Sequence, residues 1–190
     1  MGLDLVTLAE YKAYAGITST TQDTQISSII KSASQLCKTY CARTFVDLVD
    51  NATTEVYSGG TSKIILKEYP ILSISSLEYS SDYGNTYTTL VEFTDYTLDK
   101  EDGSIAPILD TIFPKQINAY RITYTAGYET IPQDLKIAVL DLVAYYVKSD
   151  MAIKSQRNAG SNTTQVEFIT KNSLPSHISR VFDLYISAVG

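Results

Sequence analysis

His177 is the only histidine among 190 residues, so any Ser-His-Asp or Cys-His nucleophile would have to use it. It follows Pro175 at the head of an amphipathic stretch, where nothing nearby would activate a serine or cysteine, and it reads as a surface or capping histidine. Cys37 and Cys41 share one helix face, but with a single histidine they fall short of a tetrahedral zinc site unless carboxylates join them. Cys37 also falls on an apolar stripe, so inert buried thiols are the simpler reading. Asp99, Glu101 and Asp102 crowd one turn in a spacing unlike an EF-hand loop, which favours an acidic hairpin turn over a calcium site. Neither standard phosphate-cradling glycine pattern occurs, and Gly59, Gly60 and Gly127 read as turn glycines. Carboxylate pairs for glycoside hydrolysis stay open, since any of 21 acids could meet in space. Lys154 and Arg157 sit in an acid-free stretch and read either as a solvated loop or as a grip on phosphate or an acidic partner. The residues therefore predict no catalytic, cofactor-binding or metal site.

The elements that would carry these residues fall into three blocks. Thr7 and Glu10 fit a capping box ahead of a short helix that Gly16 would stop. Ser19 to Gln22 offers a second cap, and Ile26, Ile29, Ile30, Ala33, Leu36, Cys37 and Tyr40 then follow helical spacing. From Phe45 the pattern turns to short strands. Thr53 to Tyr57 and Lys63 to Leu66 read as a hairpin, followed by Ile71 to Tyr79, Tyr87 to Val91, Tyr96 to Leu98, Ser104 to Leu109 and Tyr120 to Tyr124. Pro132 then opens a helix with two apolar stripes. Leu135, Ala138, Val139, Leu142, Val143 and Tyr146 form the first, and Ile137, Leu140, Ala144 and Val147 the second. Such a helix must be covered on two sides, by its own bundle or by another subunit. Met151 to Thr164 reads as a mobile loop, Val166 to Ile169 as a short strand, and Pro175 as the start of a last helix. The predicted fold class is α+β: mainly an α-helical bundle formed by both chain ends, with an antiparallel β insertion in the middle. One domain is expected over 1–190, with N-terminal helices at 1–44, the insertion at 45–126, a core helix at 127–150 and a loop with the C-terminal helix at 151–190.

Composition narrows the classes. Apolar residues make up 44% and charged residues 19%, a globular balance, and the chain is long enough to bury about 70% of its unfolded surface. No apolar run reaches the ~20 residues of a membrane span. Met1 to Asp4 lacks the basic and apolar regions of a secretory leader, which with two cysteines points to folding in a reducing cytoplasm. A net charge of -6 argues against tight nucleic-acid binding, which depends on neutralising phosphates. Fifteen tyrosines and no tryptophan suit half-buried strands and wet interfaces.

Four blocks in order give the sequence a family likeness: Val6-Thr-Leu-Ala-Glu-Tyr-Lys-Ala-Tyr-Ala-Gly-Ile17; the helix with Asp23, Ile26, Ile29, Ile30, Ala33 and Leu36 ending Tyr40-Cys-Ala-Arg-Thr-Phe45; Tyr69-Pro-Ile-Leu-Ser-Ile74; and Tyr124-Thr-Ala-Gly-Tyr-Glu-Thr-Ile-Pro-Gln-Asp-Leu135. Together, over about Leu5 to Ser149, they resemble the head–tail connector, or head-completion adaptor, proteins of long-tailed bacteriophages. None is a catalytic signature; the combination carries the likeness. The β insertion is longer than in the most compact members, and the segment after Ser149 matches least.

The resemblance implies a non-enzymatic virion protein, made in the bacterial cytoplasm and placed at the virion neck. It would dock on the portal protein after DNA packaging and ring up with copies of itself, matching the twelvefold portal. It would extend the DNA channel without binding DNA specifically and offer a surface to the tail or a stopper protein. No membrane or cofactor is implied. Ile137, Leu140, Ala144 and Val147 become subunit-interface candidates. Lys154, Arg157, Leu174, Ile178, Val181, Phe182 and Tyr185 become portal-contact candidates, although the last helix also reads simply as core. A tail-completion or tail-terminator ring protein is the neighbouring alternative. A β-rich glycan-binding or hydrolase module is the more distant one, disfavoured by the lack of tryptophan.

Overall fold

The computed structural model describes residues 3–157 and 174–187, with 149–157 described by backbone alone. The chain divides into two compact units. Among the described residues the first holds four helices: α1 (Leu8–Ala15), α2 (Asp23–Cys41), α3 (Gln133–Arg157) and α4 (Ser176–Asp183). α1 starts as its sequence dictates. Thr7 Oγ1 accepts the Glu10 N–H at 3.2 Å, and the Glu10 carboxylate accepts the Thr7 N–H at 2.8 Å. Gly16, at φ +67°, closes it in the left-handed conformation. The second expected cap does not form: Gln22 precedes α2 with no side-chain capping bond. There Asp23 stands at the positive end of the helix and pairs with Lys12 at 2.8 Å.

α2 buries Ile26, Ile30, Ala33, Cys37 and Cys41, and α3 packs on it while burying Leu135, Val139, Leu142 and Val143. Each such aliphatic contributes about 1.5–3 kcal/mol when fully buried. α1 and α4 also lie on α3, which accounts for much of its two-sided apolar pattern within this unit. α3 runs through Arg157, into the segment whose sequence predicts a loop. The rest of that loop, Asn158 to Thr164, and the short strand Val166 to Ile169 lie outside the described residues.

The second unit takes in residues 43–130 together with Ser187 and, among the described residues, contains seven strands. These are β1 (Thr53–Tyr57), β2 (Ile64–Ile65), β3 (Ile71–Tyr79), β4 (Thr88–Thr89), β5 (Tyr96–Asp99), β6 (Ser104–Pro107) and β7 (Tyr120–Ala126). They form two antiparallel sheets in the orders β1-β7-β3-β4 and β2-β6-β5. The predicted hairpin from Thr53 to Leu66 is not made. β1 pairs with β7, β2 pairs with β6, and the Ser58-Gly-Gly60 turn carries the chain from one sheet to the other. β7 is central, and its alternation buries Tyr120, Ile122, Tyr124 and Ala126.

These strands correct the expected architecture. The described residues form a β-rich molecule with two antiparallel sheets, not a mainly α-helical bundle with a β insertion. The strands enclose a core of their own, built from Leu66, Leu77, Ile105, Phe113, Tyr120, Ile122 and Tyr124. Tyr120 and Tyr124 are among the largest fully buried side chains of this core. Tyr120 packs edge-on against Phe113 at 4.9 Å, and Tyr124 buries its ring while its hydroxyl accepts the Glu68 N–H at 3.3 Å.

Candidate functional site

His177 is exposed, its Nε2 3.8 Å from Asp141 Oδ2, and Asp141 also accepts the Tyr14 hydroxyl. Cys37 and Cys41 are buried on α2, where the hydrogen bond between them and burial push the Cys37 thiol far above its usual range. A buried thiol held protonated in this way is a poor nucleophile. The Asp99 carboxylate accepts the N–H groups of Glu101 and Asp102 at 3.1 and 3.3 Å, so it shapes its own turn. Among the described residues no group of three metal-ligating side chains converges. A groove of about 540 Å³ beside α2 has Lys31 and Lys38 for its basic groups, and Lys38 donates to the Leu3 carbonyl at 2.7 Å.

What the fold does bring together is three of the blocks that carried the family likeness. At the end of the strand unit where the chain enters and leaves, Arg43-Thr-Phe45, Glu68-Tyr-Pro70 and Gly127-Tyr128 form one cluster. The Gly127 N–H donates to the Pro70 carbonyl at 2.9 Å and the Tyr128 N–H to the Phe45 carbonyl at 2.7 Å. Gly127 lies at φ +114°, and a Cβ there would stand 2.2 Å from the Phe45 carbonyl oxygen, so a close backbone approach demands glycine. Arg43 is buried, donates to the Tyr69 carbonyl, and holds its guanidinium 3.9 Å from the Tyr69 ring centre, with the Phe45 and Tyr128 rings at 5.1 and 5.7 Å. Glu68 accepts the Thr44 N–H at 2.7 Å. Burial pushes its carboxyl above the ordinary range, while the Thr44 bond and the Arg43 charge pull it back. Among the described residues Arg43 Nε and Glu68 Oε2 find no hydrogen-bond partner.

The opposite end of this unit gathers four loops. Gly59 and Gly60 donate to the carbonyls of Gln116 and Phe113 at 2.9 and 2.8 Å, and a Cβ on Gly59 would stand 1.9 Å from the Pro114 oxygen. Gln116 reaches the Ser81 carbonyl at 3.1 Å, and the Ile108 N–H donates to the Asp95 carbonyl at 3.0 Å. On this frame Tyr83, Phe93, Leu109 and Ile117 are 67–79% exposed. Tyr83 and Phe93 sit at φ +59° and +63°, a conformation bulky side chains rarely adopt. An aspartate braces each turn. Asp82 accepts the Thr86 N–H and the hydroxyls of Ser80 and Thr86 at 2.7–2.8 Å, which holds its carboxyl down at about 2. Asp95 accepts the Val91 N–H at 2.7 Å. These loops thus hold four large apolar side chains in solvent at one end of the unit. The Asp82-Tyr-Gly-Asn85 run announces a turn in sequence, but its convergence with 107–118 depends on non-sequential strand pairing.

The interface candidates divide. Ile137 is exposed and Ala144 half-buried, whereas Leu140 and Val147 are buried inside the helical unit. Among the portal-contact candidates, Ile178 and Phe182 are buried, and Leu174, Val181 and Tyr185 are half-buried. Tyr185 donates to Asp134 at 2.8 Å. The side chains of Lys154 and Arg157 lie outside the described residues.

Residues 4–187 match the family model of the head completion protein. The chain belongs to that family. As a head completion protein it is a structural component acting in completion of the phage head. It is 24% identical over 187 residues to a head completion protein of Escherichia phage T5, covering 96% of this chain and 98% of that one. Its fold is shared at 15% identity with a chain from the neck of an empty gene transfer agent particle computed with C6 symmetry (TM-score 0.61, covering 96% of this chain and 90% of the other). A chain from the neck of the native particle, computed with C12 symmetry, is also alike (TM-score 0.57, 15% identity, 98% and 95% covered). In this chain the Arg43–Glu68 cluster ties together three segments distant in sequence, and the braced loops display apolar surface. No helix among the described residues is long and apolar enough to cross a membrane.

Proposed function

We propose that this head completion protein works at the virion neck as a single connector module. Its copies form a ring on the portal that continues the DNA channel and presents a docking surface to the tail or a stopper protein. The family match across 4–187 carries the reading. The likeness to chains from particle necks with sixfold and twelvefold symmetry supports the ring. An acidic chain suits a channel wall that DNA slides past, because carboxylates repel phosphate at short range. The role is non-enzymatic: position and contact do the work.

On the helical unit, a subunit contact would use Ile137 and Ala144, with Leu140 and Val147 shaping α3 from within. A portal contact near the C-terminus would use Leu174, Val181 and Tyr185 beside the exposed Leu184 and Ile186, with Ile178 and Phe182 anchoring α4 behind them. Lys154 and Arg157 belong to the same proposed contact. The test is add-back of the full-length chain to DNA-filled heads purified from particles lacking it. The expected result is a stoichiometric layer at one vertex and restored tail attachment. Binding to tail tubes with heads left bare would overturn the assignment.

A further inference from the structure

We propose that neighbouring copies in the ring meet through β2 of one copy seated in the loop-end pocket of the next, an inference that rests on the ring reading above. β2 lies at the edge of its sheet, and along 63–67 exposure alternates: Lys63, Ile65 and Lys67 are exposed while Ile64 and Leu66 are buried. The result is a stripe with an aliphatic centre and a cation on each side.

The loop end supplies the complement. A cavity of about 130 Å³ opens there on a floor that includes Leu90, Phe113 and Tyr120, a size that takes one small apolar group. Asp95 and Asp110 stand in its wall, with Leu109 between Pro107 and Asp110 as a greasy lip. Ile65 fits the floor, and the flanking lysines meet the two carboxylates. The two patches differ, so their union is head-to-tail, the kind of contact that closes into rings. Each patch repels its own kind: β2 against β2 brings lysines together, and loop end against loop end brings carboxylates together. Two-fold pairing is thereby disfavoured and the ring direction selected.

The experiment uses the full-length chain added to heads that lack it, read by electron microscopy and by crosslinking. Lys63→Glu with Lys67→Glu, and separately Asp110→Lys, should each lower ring occupancy about tenfold or more, as a cost of at least one like-charge contact per interface implies. The three substitutions together should recover part of the lost occupancy, because one introduced glutamate meets the cation introduced at position 110 while the other still faces Asp95. Ile65→Cys with Leu109→Cys should give a ladder of disulfide-linked multimers, because Cys37 and Cys41 are buried. Wild-type rings with fully occupied charge-reversed variants and no ladder would overturn this contact while leaving the ring intact. Linkage of either introduced thiol to a different particle protein would assign the pocket to that partner and overturn it equally. If the wild-type chain never forms a ring, the functional reading itself fails, and this inference with it.

Discussion

At the end of the strand unit where the chain enters and leaves, the rings of Phe45, Tyr69 and Tyr128 close around a buried arginine. At the other end, Tyr83 and Phe93 stand in solvent on turns that hold them at positive φ. Both ends use aspartate, glutamate and backbone N–H groups to fix loop shape, yet one end consumes its aromatic surface and the other displays it. Each kind of failure therefore belongs to one end. Damage at the first end should unfold the unit, whereas damage at the second should leave it folded and impair assembly.

The sharpest challenge to that division is Gly127→Ala. A Cβ 2.2 Å from the Phe45 oxygen, at φ +114°, should cost about 3 kcal/mol or more in urea unfolding. A cost below about 1 kcal/mol would mean the close approach relaxes easily, and the contrast between the ends would weaken. Arg43→Met comes next, at about 3 kcal/mol, because it leaves Glu68 buried without the neighbouring cation, takes a donor from the Tyr69 carbonyl and removes the cation from the cage of rings.

A pH titration of unfolding sharpens the same end. The Glu68 carboxyl titrates above its unfolded value, so its native environment favours the neutral acid. The stability this confers is fully present below the unfolded glutamate value and is lost as pH rises through the raised folded value. Relative to Glu68→Gln, the wild-type chain should therefore gain stability as pH falls through that window. A flat difference would contradict the burial argument.

At the loop end the stability effects should be small. Asp82→Ala should speed amide exchange at Thr86 and Gly84 with little change in the unfolding midpoint, since only the brace of one exposed turn is lost. In the wild-type chain the Asp82 carboxyl sits at about 2. Its brace is present above the ordinary aspartate value and fades as pH falls through about 2. Smallest of all, Phe93→Ser and Leu109→Ser should move stability by less than about 0.5 kcal/mol while reducing head-bound protein. A large loss of stability in either would show that this end is core after all.

Much of the helical unit is legible in the sequence because its signals are local. The Thr7–Glu10 box, the Gly16 stop and the α2 stripe each involve residues within a turn or two of one another. The strand unit is legible as strands but not as an architecture. Short alternating runs do not say which strand pairs with which, and the non-sequential pairing of β1 with β7 and β2 with β6 undoes the predicted hairpin. The expected dominance of the helices fails for a related reason. Tyrosine composition suggests half-buried strands and wet interfaces, yet the tyrosines of β7 are fully buried and their rings build a separate core. Gly59 and Gly127 are legible as glycines at turns. That Pro114 and Phe45 press against them depends on contacts far along the chain. The loop-end surface has no linear pattern to find.

Cryo-electron microscopy of heads completed with the full-length chain would show the ring contact itself. A closed ring is expected at one vertex, with Phe93, Leu109 and the pocket beside them covered by the neighbouring copy. A ring with those residues open to solvent, or completed heads with no such ring, would contradict it.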